Sequence, residues 1–162
     1  MRERPQADTA LATVLCVRLV GEPPHAATAA DFAGFVAREV QWFRGRARGQ
    51  TADGTFALFD GPARAIRCAQ AIVDAAARLG LRARAGLHTG ECDILGEKIG
   101  GLTVQFSESV ARLASFGEVL ISRTVKELVA GAGIEFEPRD KHALENLPGK
   151  WRVFAVARGG VQ

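Results

Sequence analysis

The chain has 162 residues, of which 48% are hydrophobic and 24% charged, with only six prolines; this is the length and composition of one folded domain, and it excludes a disordered tail, a collagen-like repeat and a disulfide scaffold. Twenty-one Lys and Arg against 18 Asp and Glu leave a net charge of +3, too small an excess for a many-phosphate footprint, so nucleic acid is not an expected partner. Cys16, Cys68 and Cys92 are odd in number, lack CxxC spacing and lie in apolar segments, which argues against a disulfide framework or a zinc site and fits a reducing cytoplasm.

The longest apolar run, Ala10 to Val17, is far shorter than the roughly 20 residues of a membrane helix, so no membrane insertion is expected. Arg18 breaks that run and Asp8 sits beside it, which argues against a secretory leader. In chain order, Thr13 to Val20 is β-branched and apolar except for Arg18, the pattern of a buried central strand carrying one anomalous charge. Phe32, Phe35, Val36, Val40 and Phe43 then fall at helical spacing up to Gly45, predicting an amphipathic helix. Arg46 to Thr51 and Thr55 to Phe59 flank Ala52-Asp53-Gly54, which predicts a β-hairpin with Asp53 at its tip.

Asp60 is the expected cap of the next helix, with Pro62 in its first turn and an apolar stripe from Ile66 to Leu79 that stops at Gly80. Leu81 to His88 alternates as a strand, and glycines punctuate a short strand near Cys92 to Leu95 and a hairpin arm. Leu102, Phe106, Val110 and Leu113 mark a third helix, Val119 to Ile121 a strand, and Ser122 the cap of a fourth helix ending near Gly131. Ile134 to Glu137 and Trp151 to Val156 read as closing strands. The order β-α-β-β-α-β followed by further α and β predicts an α+β fold with a ferredoxin-like βαββαβ core and additional elements, one antiparallel sheet with helices against one face. No repeat or linker divides the chain, so residues 1–162 are read as one domain.

The run TVLCVRLVGE, the hairpin TADGTFALFDGPARAIRCAQAI, the stretch RARAGLHTGE, the segment KIGGLTVQFSESVARLASFGEVLISRTVKELV and the closing LPGKWRVFAV together resemble the catalytic, or cyclase homology, domain of class III adenylate and guanylate cyclases of actinobacterial type. The resemblance runs from about Leu11 to Val156. It implies a dimer, homomeric or with a related chain, joined head to tail, whose interfacial sites convert ATP or GTP to a 3′,5′-cyclic nucleotide and pyrophosphate. In-line attack of the ribose 3′-hydroxyl needs two divalent ions, Mg or Mn, held by two carboxylates.

The resemblance places those carboxylates on the first strand and the hairpin tip. Here the positions are Arg18, a cation, and Asp53, the retained carboxylate. The base-reading lysine and aspartate correspond to Gly49 and Lys98, and the ribose-orienting asparagine and the transition-state arginine to Gln105 and Ser109. Gly49 has no side chain, Lys98 donates where an acceptor is needed, and Ser109 carries no charge. Of the six, Asp53 alone is kept in type and Gln105 is a loose substitute.

Asp53 also suits a type I′ turn on its own, and Arg18 is expected to fill the vacated metal position and pair with Asp53. His88, on an alternating strand ending in Thr-Gly, reads as a structural hydrogen-bonding group, and His25 and His142 have no companion at ligand spacing. The arginines at 44, 46, 48, 64, 67, 78, 82 and 84 sit on several elements and read as solvated faces, while Trp42 on the first helix is an interface candidate or a partly buried core residue. The reading that follows is a catalytically degenerate cyclase domain in the cytoplasm, needing no cofactor, that serves as a regulatory or scaffold module in cyclic-nucleotide signalling. The alternatives are a weakly active cyclase using Mg or Mn, and a metal-independent switch that binds ATP or GTP.

Overall fold

Strand β1 (Asp8–Leu19) is apolar on both sides because both sides are covered. Its Leu15 and Val17 face one core with helices α1 (Ala26–Trp42) and α2 (Pro62–Arg78), while Val14 and Cys16 face a second core that includes Ala111 of helix α3 (Leu102–Leu113). The remaining elements are β2 (Arg46–Thr51), β3 (Gly54–Phe59), β4 (Ala83–Leu95), β5 (Lys98–Gly100), β6 (Val119–Ser122), α4 (Arg123–Leu128), β7 (Phe136–Ala143) and β8 (Lys150–Val156). The computed structural model describes residues 8–19, 26–51, 54–144 and 147–157. The expected hairpin tip Asp53, His25 and Val20 lie outside the described residues.

The strands form one sheet in the order β2-β3-β1-β4-β6-β8-β7, with β5 paired to the far end of β4. Its first four members, β2-β3-β1-β4, pair antiparallel throughout, which is the βαββαβ core the sequence predicts. Two features of the expected sheet need correction. The β4–β6 pair is parallel, Ala85 to Leu87 lying beside Val119 to Ile121, because the chain crosses over through α3 between them. Helices also cover both faces: α3 lies against the side opposite α1 and α2, burying Phe106, Val110 and Ala111.

Gly86 makes that second layer possible. A Cβ at Gly86 would fall on the backbone of Ala111 and lie 2.6 Å from the carbonyl oxygen of Ser107, so strand and helix approach to backbone contact. The segment read as a broken strand and a loop is one thirteen-residue strand, β4, whose glycines serve close packing rather than turns. Helix ends follow local chemistry. Gly80, at φ +75°, closes α2 with the Leu81 amide on Ala76 O at 2.8 Å and its own amide on Ala77 O at 3.1 Å. The same paired bonds close α1, Gly45 N to Val40 O at 2.8 Å and Arg44 N to Gln41 O at 3.0 Å, but here the left-handed residue is Arg44, at φ +65°. The expected cap Asp60 is displaced by one residue: Gly61 occupies the N-cap of α2, with Pro62 following, and no side chain caps that end. Ser122 caps α4 as expected, its Oγ accepting from Val125 N at 3.3 Å. All three cysteines are buried and none is in a disulfide, and burial pushes the Cys68 thiol up to about 12.

Candidate functional site

Arg18 sits near the end of β1 on the same side as Cys16, its Cγ packed beside Gly54 at the start of β3. Directly across the β1–β4 ladder stands Arg84. Two guanidinium groups therefore share one rung, a like-charge pairing that is unfavourable on a sheet. Arg84 places Nη1 on the carbonyl oxygens of Arg112, at 3.0 Å, and Ala114, at 3.2 Å, where α3 ends, so its charge meets exposed carbonyls there. Its pKa is held below the ordinary arginine value, first by burial and then by the charges of Arg18 and Arg112. Arg84 is thus a half-buried structural cation and not a member of a solvated face.

Gly49 and Lys98, the positions that the resemblance aligns with base-reading residues, lie on neighbouring elements, β2 and β5. Arg48 is the surplus residue of a bulge in β2, where the register passes from Ala47 opposite Ala57 to Gly49 opposite Phe56. Its Nη1 reaches Gly96 O, in the turn between β4 and β5, at 3.4 Å. Gly49 follows at φ +143° with nothing within 4 Å of where a side chain would begin, and Lys98 is exposed on β5. On α3, Gln105 is exposed in the first turns and Ser109 is buried one turn later. Arg18 is separated from Gly49 by β3, so Arg18, Gly49 and Lys98 belong to one half of the sheet, with α3 lying over β1 and β4. Among the described residues no group of three or more His, Cys, Asp or Glu is placed to hold a metal ion.

His88 has the structural role expected for it. Its ring stacks on Phe106 with centroids 3.9 Å apart, and Nδ1 is 2.7 Å from Ser122 Oγ. That hydroxyl also accepts from Val125 N, so one oxygen ties the ring to the first turn of α4. Burial pushes the His88 pKa down to about 4, consistent with the neutral ring. Trp42 is exposed, with 79% of its surface accessible. Sequence reasoning did not single out Arg84 or Arg48 for these contacts. Both were visible as charges, but strand register and the bulge decide what they meet.

No family model matches the chain, and no curated protein sequence matches it significantly. Solved structures do. An adenylate/guanylate cyclase/hydrolase from Silicibacter pomeroyi superimposes with a TM-score of 0.81 at 19% identity, covering 93% of this chain and 98% of that one. The adenylyl cyclase CyaB from P. aeruginosa gives 0.80 at 16% identity over 93% and 96% of the two chains. The guanylate cyclase domain of RhGC from Catenaria anguillulae, in complex with GTP, gives 0.79 at 16% identity over 93% and 98%. The chain has the fold of adenylate/guanylate cyclase catalytic domains. No helix of the described residues is long and apolar enough to cross a membrane.

Proposed function

We propose that this domain keeps the cyclase fold without the cyclase reaction and works, as a dimer with a second copy or a related chain, as a regulatory or scaffold module of cyclic-nucleotide signalling in the cytoplasm. The observation that carries this reading is the Arg18–Arg84 rung. The position that the resemblance gives to a metal-binding carboxylate holds a cation, and a second cation stands across from it. A guanidinium cannot ligate a cation, so the residue at the first-strand position does not fit a two-metal centre and no metal-dependent step is assigned to it. Lys98 offers donors in place of a base-reading acceptor, and buried Ser109 brings no charge to the phosphates. Loss of a single preorganised transition-state donor costs about 10² to 10³ in rate, so several losses together leave no useful turnover.

The test is direct. Purified protein incubated with ATP or GTP and with Mn²⁺ or Mg²⁺ is expected to yield no cyclic AMP or cyclic GMP by mass spectrometry above the level of Asp53→Ala. Metal-dependent product that disappears in Asp53→Ala would sink the reading and establish a weakly active cyclase. The same arginines favour a second reading, a switch that binds ATP or GTP without metal. Nucleotide binding that persists in EDTA and weakens in Arg18→Ala would select it.

A further inference from the structure

The opposite half of the sheet carries a cleft of about 280 Å³ that none of the six cyclase positions lines. Its aromatic side is the stacked His88–Phe106 pair, with Trp151 edge-on to Phe106 at 5.1 Å between centroids. Its rim holds four cations, Arg123, Lys141, Lys150 and Arg152, against one carboxylate, Glu127, which Arg123 already engages at 2.9 Å. Lys141 and Arg152 stand directly opposite each other on the β7–β8 ladder, a like-charge rung that destabilises a sheet unless something answers it.

Two arginines outside the cleft do find carboxylates. Arg112 meets Glu108, and Arg139, two residues before Lys141 on the same strand, meets both Glu118 and Glu137. Lys141, Lys150 and Arg152 make no ion pair among the described residues. A solvated basic face would have no reason to converge on a cavity with an aromatic wall. Lys141, Lys150 and Arg152 offer donors only, which suits an anion with several acceptor oxygens. The volume is at the small end of ligand pockets and suits one phosphoryl group and one ring rather than a triphosphate.

We propose that this cleft is a binding site for a small organic phosphomonoester, a sugar phosphate or mononucleotide, whose phosphoryl group lies among Lys141, Lys150 and Arg152 and whose ring lies against Trp151. Isothermal titration of the whole chain with ribose 5-phosphate, AMP and inorganic phosphate tests it. The expected result is saturable binding of one ester per chain, at least about tenfold tighter than inorganic phosphate and about tenfold weaker in Lys141→Gln and in Arg152→Gln. Both side chains are exposed, so these variants fold, which circular dichroism checks. AMP tighter than ribose 5-phosphate identifies a nucleotide, and equal affinities a sugar phosphate. Lys98→Ala, in the other half of the sheet, leaves the affinity unchanged. The proposal is overturned if neither ester saturates by about 5 mM, if inorganic phosphate binds as tightly, or if binding survives both substitutions. It is also overturned if binding is lost in Lys98→Ala but kept in Arg152→Gln, which would place the ligand at the cyclase-type site. None of these outcomes depends on whether the domain cyclises nucleotides.

Discussion

His88 is a histidine whose native surroundings refuse a second proton. The unfolded imidazole takes it up near 6.5, whereas burial lowers the native value to about 4. The cleft beside the ring is lined by Arg123, Lys141, Lys150, Arg152 and Glu127. The unfolded state therefore binds more protons between these two values, so the stability contribution is complete above about 6.5 and is lost as the pH falls toward about 4. Urea unfolding of the wild type is expected to lose about 2 kcal/mol more than His88→Gln between pH 7 and pH 5. Equal losses in the two proteins would show that His88 titrates freely in the native state. The sequence already suggested a structural role for this residue through its alternating strand. The Phe106 stack and the Ser122 hydroxyl that enforce the role come from other elements, and no local pattern pointed to them.

The two helix ends closed by the same hydrogen bonds make a controlled comparison at the level of elements. α2 places Gly80 in the left-handed position, and α1 places Arg44 there, which costs an L side chain energy that glycine avoids. Arg44→Gly is expected to raise stability by about 0.5 to 1 kcal/mol in thermal or urea unfolding, with no change in circular dichroism. A destabilised variant would mean that the Arg44 side chain contributes more than its backbone costs. Element types were legible because the stripes of α1, α2 and α3 and the Asp53-Gly54 signal are local. Gly45, which looked like the stop of α1, is needed for another reason: a Cβ there would lie 2.5 Å from the Phe59 ring. The second helical layer was signalled by the unbroken apolar run Val14 to Val17, which needs cover on both faces, but which helix supplies that cover is a long-range matter the run does not carry. The continuity of β4 was hidden for a related reason. Glycine reads as punctuation, while Gly86 and Gly90 are there because α3 presses on the strand, Thr103 Oγ1 lying 2.6 Å from where a Gly90 side chain would begin.

For the whole molecule, the residue types at the site positions were readable and their partners were not. Arg18 stands out in the sequence as a charge on an apolar strand, but its opposition to Arg84 requires the β1–β4 register, and the Lys141–Arg152 rung requires the β7–β8 register. The departures that the resemblance implies, at Arg18, Gly49, Lys98, Gln105 and Ser109, fall on β1, β2, β5 and α3. A single reversion should therefore achieve little: Arg18→Asp is expected to produce no cyclic nucleotide from ATP or GTP in the mass-spectrometric assay. Product from that one substitution would mean that Lys98 and Ser109 are no obstacle and that the metal position alone was limiting. The tryptophans have an optical consequence. The chain has two tryptophans and no tyrosine, so its ultraviolet emission comes from two indoles in unlike settings. Trp42, 79% exposed at the end of α1, is expected to emit as an indole in water and to be quenched by iodide, and Trp151, 38% exposed with Phe106 edge-on to it, to be the bluer and less quenched of the two, a native fluorescent label on the basic cleft with an internal reference far from it in sequence.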